Sequence, residues 1–292
     1  MNRYQKINRL LILILVINFI VAAVKIAMGY LFKINSLTSD GIHALSDGTS
    51  NIVGLIGTKY AARNPDKEHP YGYYKYETAA AFVIGFMLFA ITLGIIANVV
   101  LWFLSPKIPA IDALGFLGII FTLILNTIIA TLEYRAGKRL ESEVLVTDSL
   151  HTRCDIFISA GVLFSILLIK FGFPYIIDPI LSLFIAGLIF ISCVKIFRST
   201  LHVLLDKKAV DEQAIIDIVS RVDSDILDVH KIRSRGKKNH IYIDLHFITY
   251  GDKTVFESHD LSHRIEEELK LKLQKNIDII AHIEPYEEKA AL

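Results

Sequence analysis

Residues 78–104 read TAAAFVIGFMLFAITLGIIANVVLWFL, 27 residues without one Asp, Glu, Lys or Arg. A helix rises about 1.5 Å per residue, so this stretch exceeds what a hydrocarbon core of roughly 30 Å requires. Backbone N–H and C=O groups find no water there, and a helix satisfies them within the segment itself. Five more apolar runs flank it, at roughly 10–32, 37–60, 111–132, 144–171 and 176–198. Each is near or above the ~20 residues of a spanning helix. The first run follows Arg3, Lys6 and Arg9, as a signal peptide would. It is too long for such a segment, lacks a small-residue cleavage site and carries Lys25, so it reads as a retained helix. Six runs predict a polytopic α-helical membrane protein.

Composition agrees. Hydrophobic residues make up 53% of the 292 and charged residues 21%, with mean hydropathy +0.49. A net charge of +1 gives no sign of nucleic-acid binding. The only cysteines, Cys154 and Cys193, sit in apolar stretches and read as buried hydrophobes, which excludes a disulfide scaffold or a Cys-rich zinc finger. Basic residues mark alternate loops: the N-terminus, 59–77 (Lys59, Arg63, Lys67, Lys75), 133–143 (Arg135, Lys138, Arg139) and the segment after the sixth run (Arg198, Lys207, Lys208). By the positive-inside rule both termini are expected in the cytoplasm.

Beyond residue 207 the chain changes character. Residues 208–292 hold thirteen Lys/Arg and seventeen Asp/Glu, against a membrane domain expected over 1–207. Asp211 to Val222 reads as a helix, Ile226 to Arg235 and His240 to Thr249 as strands, Thr254 to Leu273 as a helix and Ile277 to Glu284 as a third strand. The α-β-β-α-β order predicts a small α+β domain, ferredoxin-like in outline, with helices on one face of an open sheet.

The chemistry sits inside the spans. SDGIHALSD, 39–47, and TDSLHTRCD, 147–155, share the pattern Asp-x-x-His-x-x-x-Asp: Asp40, His43 and Asp47 against Asp148, His151 and Asp155. His and Asp four apart project from one helix face. The second and fifth runs are antiparallel, with Asp47 and Asp155 each near the middle of its run, so the two pairs can meet near the midplane as an N2O2 set. A single such residue is explained as well by an interhelical hydrogen bond. Four at metal-ligand spacing in hydrocarbon point to a metal site. Two imidazoles and two carboxylates suit tetrahedral Zn2+ and leave Cd2+, Fe2+, Co2+ and Mn2+ open. Asp40 and Asp148 read as helix-end polar groups or as pathway residues. No further Glu is expected beside the four.

The C-terminal segment carries six of the ten histidines. His230, His246, His282 and Glu284 fall on neighbouring strands, where convergence favours metal over isolated surface roles. His259 and His263 are four apart on the second helix; His240 and His263 read as surface residues.

At these residues the chain resembles the cation diffusion facilitator family, closest to its bacterial zinc and iron efflux branch. The resemblance runs over nearly the whole length: six spans, the paired His-x-x-x-Asp motifs, the loop PDKEHPYGYYKYE and the His-bearing tail. It implies a homodimeric, proton-coupled exporter of divalent metal in the inner (plasma) membrane. It assigns the transport site to His43, Asp47, His151 and Asp155. A loop site falls on Asp66 and His69, with Tyr73 where many members have a second histidine. The cytoplasmic cluster falls on His230, His246, His259 and His282, with Glu284 where some relatives carry Asp.

The alternative class is a membrane metalloenzyme or sensor. A catalytic zinc keeps an open position and a separate base, whereas four ligands fill this site. No Walker A loop, HExxH or GxSxG occurs, so an ion gradient is the expected energy source. A transporter is the favoured reading, and no resident organic cofactor is expected.

Overall fold

The computed structural model describes residues 3–31, 35–105, 113–237 and 240–286, with backbone only for residues 28–29, 31, 35–44, 46–47 and 113–115. The chain divides into two compact units, Met1–Leu201 and His202–Leu292.

Among the described residues the first unit is built from six long helices: α1 (Arg3–Leu31), α2 (Asn35–Ala61), α3 (Lys75–Leu104), α4 (Ala113–Arg139), α5 (Glu143–Lys170) and α6 (Ile177–Leu204). Among the described residues, five of them are long and apolar enough to cross a membrane; α2 matches them in length but is more polar. The arrangement is that of a polytopic membrane protein, with the polarity of a soluble core reversed. Side chains turned outward include Leu13, Phe86, Val100, Phe121, Ile124 and Phe184, whereas Glu77, Glu133, Asp148, His151 and Asp155 are buried. Lipid solvates the first group; the second must be partnered inside the bundle.

Among the described residues, two apolar clusters join the helices. Ile7 and Leu11 of α1 meet Ala80, Ala81 and Ile84 of α3 and Val144 and Leu145 of α5. Further along, Leu88 of α3, Cys154 of α5, and Ile189, Cys193 and Ile196 of α6 form a second. Both cysteines are buried and unbridged. At the end of the bundle that holds the first cluster, the fully buried Glu77 takes a hydrogen bond from Ser142 (2.8 Å) and an ion pair from Arg3 (3.2 Å). Arg3 Nε also donates to the Leu140 carbonyl at 2.7 Å, which ties α1, α3 and the α4–α5 turn together.

Helix α4 runs further than the apolar pattern predicts. Residues 133–139 continue the helix instead of opening a loop, and the turn into α5 is only Leu140–Ser142, with Glu141 at φ 50°. Ser142 caps α5 by accepting the Leu145 amide. So short a turn makes α4 and α5 a tight helical hairpin. Gly137 permits the approach: a Cβ there would lie 2.9 Å from the Val146 nitrogen and 2.9 Å from its Cγ2.

The C-terminal unit contains α7 (Glu212–Val219), β1 (Asp228–Lys237), β2 (His240–Thr249), α8 (Val255–Leu273) and β3 (Asn276–Pro285). The predicted α-β-β-α-β order holds. The sheet order is β1-β2-β3, with β1 antiparallel and β3 parallel to β2. The parallel pair requires a crossover, and α8 supplies it. Thr254 and Glu257 start α8 with a reciprocal capping box. Ile241, Ile243, Leu245 and Phe247 alternate inward from β2 and pack with Leu261, Ile265 and Leu269, one stripe of α8. Tyr242, Asp244 and His246 therefore point to the opposite face.

A bulge in β1 preserves that segregation. Val229 and Ile232 both pack toward the core although they are three apart, and the pairing shifts register between His230 and Arg233, with Lys231 at φ 50°. One extra residue changes the parity of the strand. His230, opposite His246, and Arg233, opposite Asp244, thus share the helix-free face.

Gly137→Val should drive α4 away from the α5 backbone, which a rotamer change cannot relieve. Overpacking of this kind costs about 1–3 kcal/mol, and a lowered thermal unfolding midpoint of the detergent-solubilised chain is the expected reading.

Candidate metal sites

On α5, Asp148, His151 and Asp155 fall at intervals of three and four residues and form one stripe. All three are buried, with relative exposures of 1%, 3% and 7%. Asp148 is thus no solvated helix-end group. Helix α2 packs against α5. His43, Asp47 and Asp40 lie on α2, but their side chains fall outside the described residues. One turn after Asp47, Asn51 is buried. The described half of the expected set is therefore an imidazole and a carboxylate on one helix face, inside the bundle.

A carboxylate absent from the sequence reading joins this stripe. Glu133 of α4 is fully buried and accepts a hydrogen bond from Thr152 Oγ1 at 3.1 Å. Thr152 lies one turn after Asp148 and also bonds its carbonyl, so the Glu133 carboxyl meets the same stripe of α5. The expectation that no extra Glu lies near the site is corrected. By composition the apolar run stops at Leu132, because Glu133, Arg135 and Lys138 look like a loop; helical phase from Ile129, four residues earlier and also buried, would have found it.

In the loop between α2 and α3, Asp66 is engaged by the protein itself. Its Oδ1 accepts the amides of Glu68 (3.0 Å) and His69 (2.8 Å), and its Oδ2 accepts the Tyr73 hydroxyl at 2.6 Å. The Tyr73 hydrogen bond, then the His69 amide, holds the Asp66 carboxyl below the usual range. The same bond pushes the Tyr73 phenol up. His69 Nδ1 stands 3.8 Å from Asp66, and its ring lies 4.2 Å from that of Tyr73. A metal ion here would have to displace bonds the turn already makes.

The C-terminal unit assembles a more open donor set. Strand register places His230, His246 and His282 in one row across β1, β2 and β3. Glu284, two residues beyond His282 on the same face, reaches back along the row: His246 Nδ1 donates to its Oε1 at 2.6 Å, and His230 Nε2 lies 3.2 Å from Oε2. Ligand atoms of His230, His246 and Glu284 lie within 4.8 Å of one another. The His282 ring is 4.6 Å from that of His246. Asp228 accepts from His230 Nδ1 at 2.8 Å, which leaves Nε2 facing the cluster. The His246 hydrogen bond, reinforced by the Lys231 and His230 charges, lowers the Glu284 pKa.

His259 does not join them within one chain. It sits on α8, which covers the opposite face of the sheet, and its Nε2 lies 3.1 Å from that of His263. His240, read as a surface residue, pairs with Asp278 at 2.8 Å.

Two family descriptions match the chain. Residues 11–205 match the family described as cation efflux transmembrane domain, and residues 208–286 match the cation efflux protein cytoplasmic domain. The chain is 30% identical over 272 residues to an uncharacterized transporter of Methanocaldococcus jannaschii, which covers 91% of this chain and 94% of that one. It is 26% identical to the manganese efflux system protein MneS of Bacillus subtilis, covering 92% of each. A cadmium, cobalt and zinc/H(+)-K(+) antiporter of Bacillus subtilis is 28% identical over 84% of this chain and 79% of its own.

Glu284→Ala should weaken Zn2+ binding to the His230–His246 row at least tenfold, read by equilibrium dialysis of the full chain. Glu284 is ionised above its lowered pKa, so its contribution is present at neutral pH and is lost as pH falls through that value. Metal binding requires unprotonated ligands, so binding to the unaltered row should weaken progressively as the solution is taken from neutral to mildly acidic.

Proposed function

The chain belongs to the cation efflux family, whose activity is transport of divalent metal cations rather than catalysis, and from that premise we propose that it exports Zn2+ from the cytoplasm in exchange for protons. The observation that carries the reading is the buried His151–Asp155 pair on one face of α5. With His43 and Asp47 of α2 it would give two nitrogen and two oxygen ligands, a set suited to tetrahedral Zn2+. Buried ionisable groups in a spanning helix are costly and mark ion pathways.

The exchange follows from ligand chemistry. A histidine binds metal only with its ligating nitrogen unprotonated, so metal and proton compete for one position. A free imidazole titrates near ~6.5. Open to a neutral cytoplasm, the set takes metal; open to a more acidic exterior, it takes protons and releases metal. Alternation of the helix bundle around this position makes the exchange vectorial. Both termini face the cytoplasm of a plasma-membrane protein, in keeping with the basic N-terminus and the basic 59–77 and 133–143 segments. The 208–292 domain pairs two chains and binds metal at His230, His246, His282 and Glu284. Metal held by the paired form stabilises it by mass action. Asp66 and His69 contribute little affinity, because Tyr73 supplies a hydrogen bond where a ligand is needed.

Manganese is the second reading, favoured by likeness to a manganese efflux protein over most of both chains. Two imidazoles weigh against it, since Mn2+ prefers oxygen donors. Transport by reconstituted vesicles decides between them. Asp155→Ala should reduce Zn2+ flux at least a hundredfold while the chain remains folded, and His151→Asp should raise Mn2+ flux relative to Zn2+. Wild-type flux in Asp155→Ala would place the ion path elsewhere.

A further inference from the structure

Among the described residues of the membrane unit, Glu133 is a buried acid that the proposed transport set does not use and that retains an oxygen without a hydrogen-bond partner. Its Oε2 accepts from Thr152, but its Oε1 is shielded from solvent and has no hydrogen-bond partner among the described residues. The residue is 0% exposed, and the Thr152 hydroxyl that it accepts also bonds the Asp148 carbonyl, one turn earlier on the same face of α5. Among the described residues no ion pair balances it. Arg153, adjacent to Thr152, instead stacks over Tyr134 with its Cζ 4.3 Å from the ring centroid, and Lys138 approaches the same ring at 5.6 Å. The Glu133 carboxyl is thus set against the Asp148 face of α5, between helices that Gly137 lets approach closely, with Arg153 and Lys138 turned to Tyr134.

We propose that Glu133, Asp148 and the Thr152 hydroxyl form an oxygen-only binding position for a divalent cation, separate from the His151–Asp155 position and displaced from it toward the N-terminal end of α5. The inference rests on reading His151 and Asp155 as the transport position. Oxygen donors without nitrogen favour harder ions, of the Mn2+ and Mg2+ kind, over Zn2+. Such a position serves as a waiting place. It holds an ion loosely through oxygens before imidazole exchange commits it, and it filters by ligand type at a step the N2O2 set does not control. A bound dication also removes the cost of placing neighbouring carboxylates out of water.

Mn2+ is the probe, because its electron paramagnetic resonance reports bound ion directly and its spin-echo modulation reports any 14N ligand. The sample is the full chain carrying Asp155→Ala and Glu284→Ala, which weakens the other two positions. A Mn2+ population without 14N modulation is expected, with affinity reduced at least tenfold by Glu133→Gln. Asp148→Asn should give the same loss and serves if Glu133→Gln does not purify as a folded protein. No bound Mn2+, or bound Mn2+ that always shows 14N modulation, overturns the proposal, the first result meaning that the carboxyls share a proton instead. Binding unchanged by both acid substitutions also overturns it. Flux in Asp155→Ala is measured on the same preparation. Its persistence would count against the transport position, and its loss together with absent oxygen-only Mn2+ would count against this second position alone.

Discussion

An ionised side chain at the centre of a spanning helix costs roughly 2.5–3.5 kcal/mol even by the lenient insertion measure, so hydrocarbon tolerates it only where the bundle or its cargo supplies compensation. That constraint organises the membrane unit. Apolar side chains face outward and acids face inward, the reverse of a soluble protein. Where the compensation is structural it is visible: Glu77 is met by Arg3 and Ser142, and the result joins three segments of the bundle. Along α5 the acids are distributed differently. Asp148, His151 and Asp155 repeat on one stripe, with Glu133 brought alongside from α4. A stripe of donors along a helix is suited to passing an ion; a single clamp is suited to holding two helices.

The C-terminal unit solves a different problem with a sheet. Three histidines from three strands can form a row only if register and face are both right. Pairing of β1 and β3 with β2 sets the register. The bulge after His230 sets the face, because it lets Val229 and Ile232 remain in the core while His230 stays opposite His246. The helices close the other face of the sheet, so the row remains accessible. That accessibility suits a position loaded and emptied from solution, in contrast to the buried set on α5.

Much of this was legible in the sequence, and the reasons differ by element. Long apolar runs locate spanning helices because length and hydropathy are the whole requirement, and the alternation in β2 places His246 because strand period is fixed. The capping signal Thr254-x-x-Glu257 marks the start of α8. What escaped depended on three-dimensional phase. Glu133 lies in a stretch whose charge resembles a loop, yet α4 continues through it and turns it inward. His259 has the right residue type and the right neighbours in sequence, but α8 packs on the far side of the sheet from His246. The bulge at Lys231 has no marker in residue type; it shows only once Val229 and Ile232 are found on the same side.

The account stands on competition between a metal ion and protons at the buried imidazole–carboxylate set. It is tested most directly in vesicles loaded with equal Zn2+ concentrations inside and out, with a pH gradient imposed across the membrane. Net Zn2+ movement toward the acidic side, against the concentration difference it creates and accompanied by proton movement the other way, is the predicted result. Zn2+ that only exchanges between the compartments, with no net flux while the gradient persists, would contradict it.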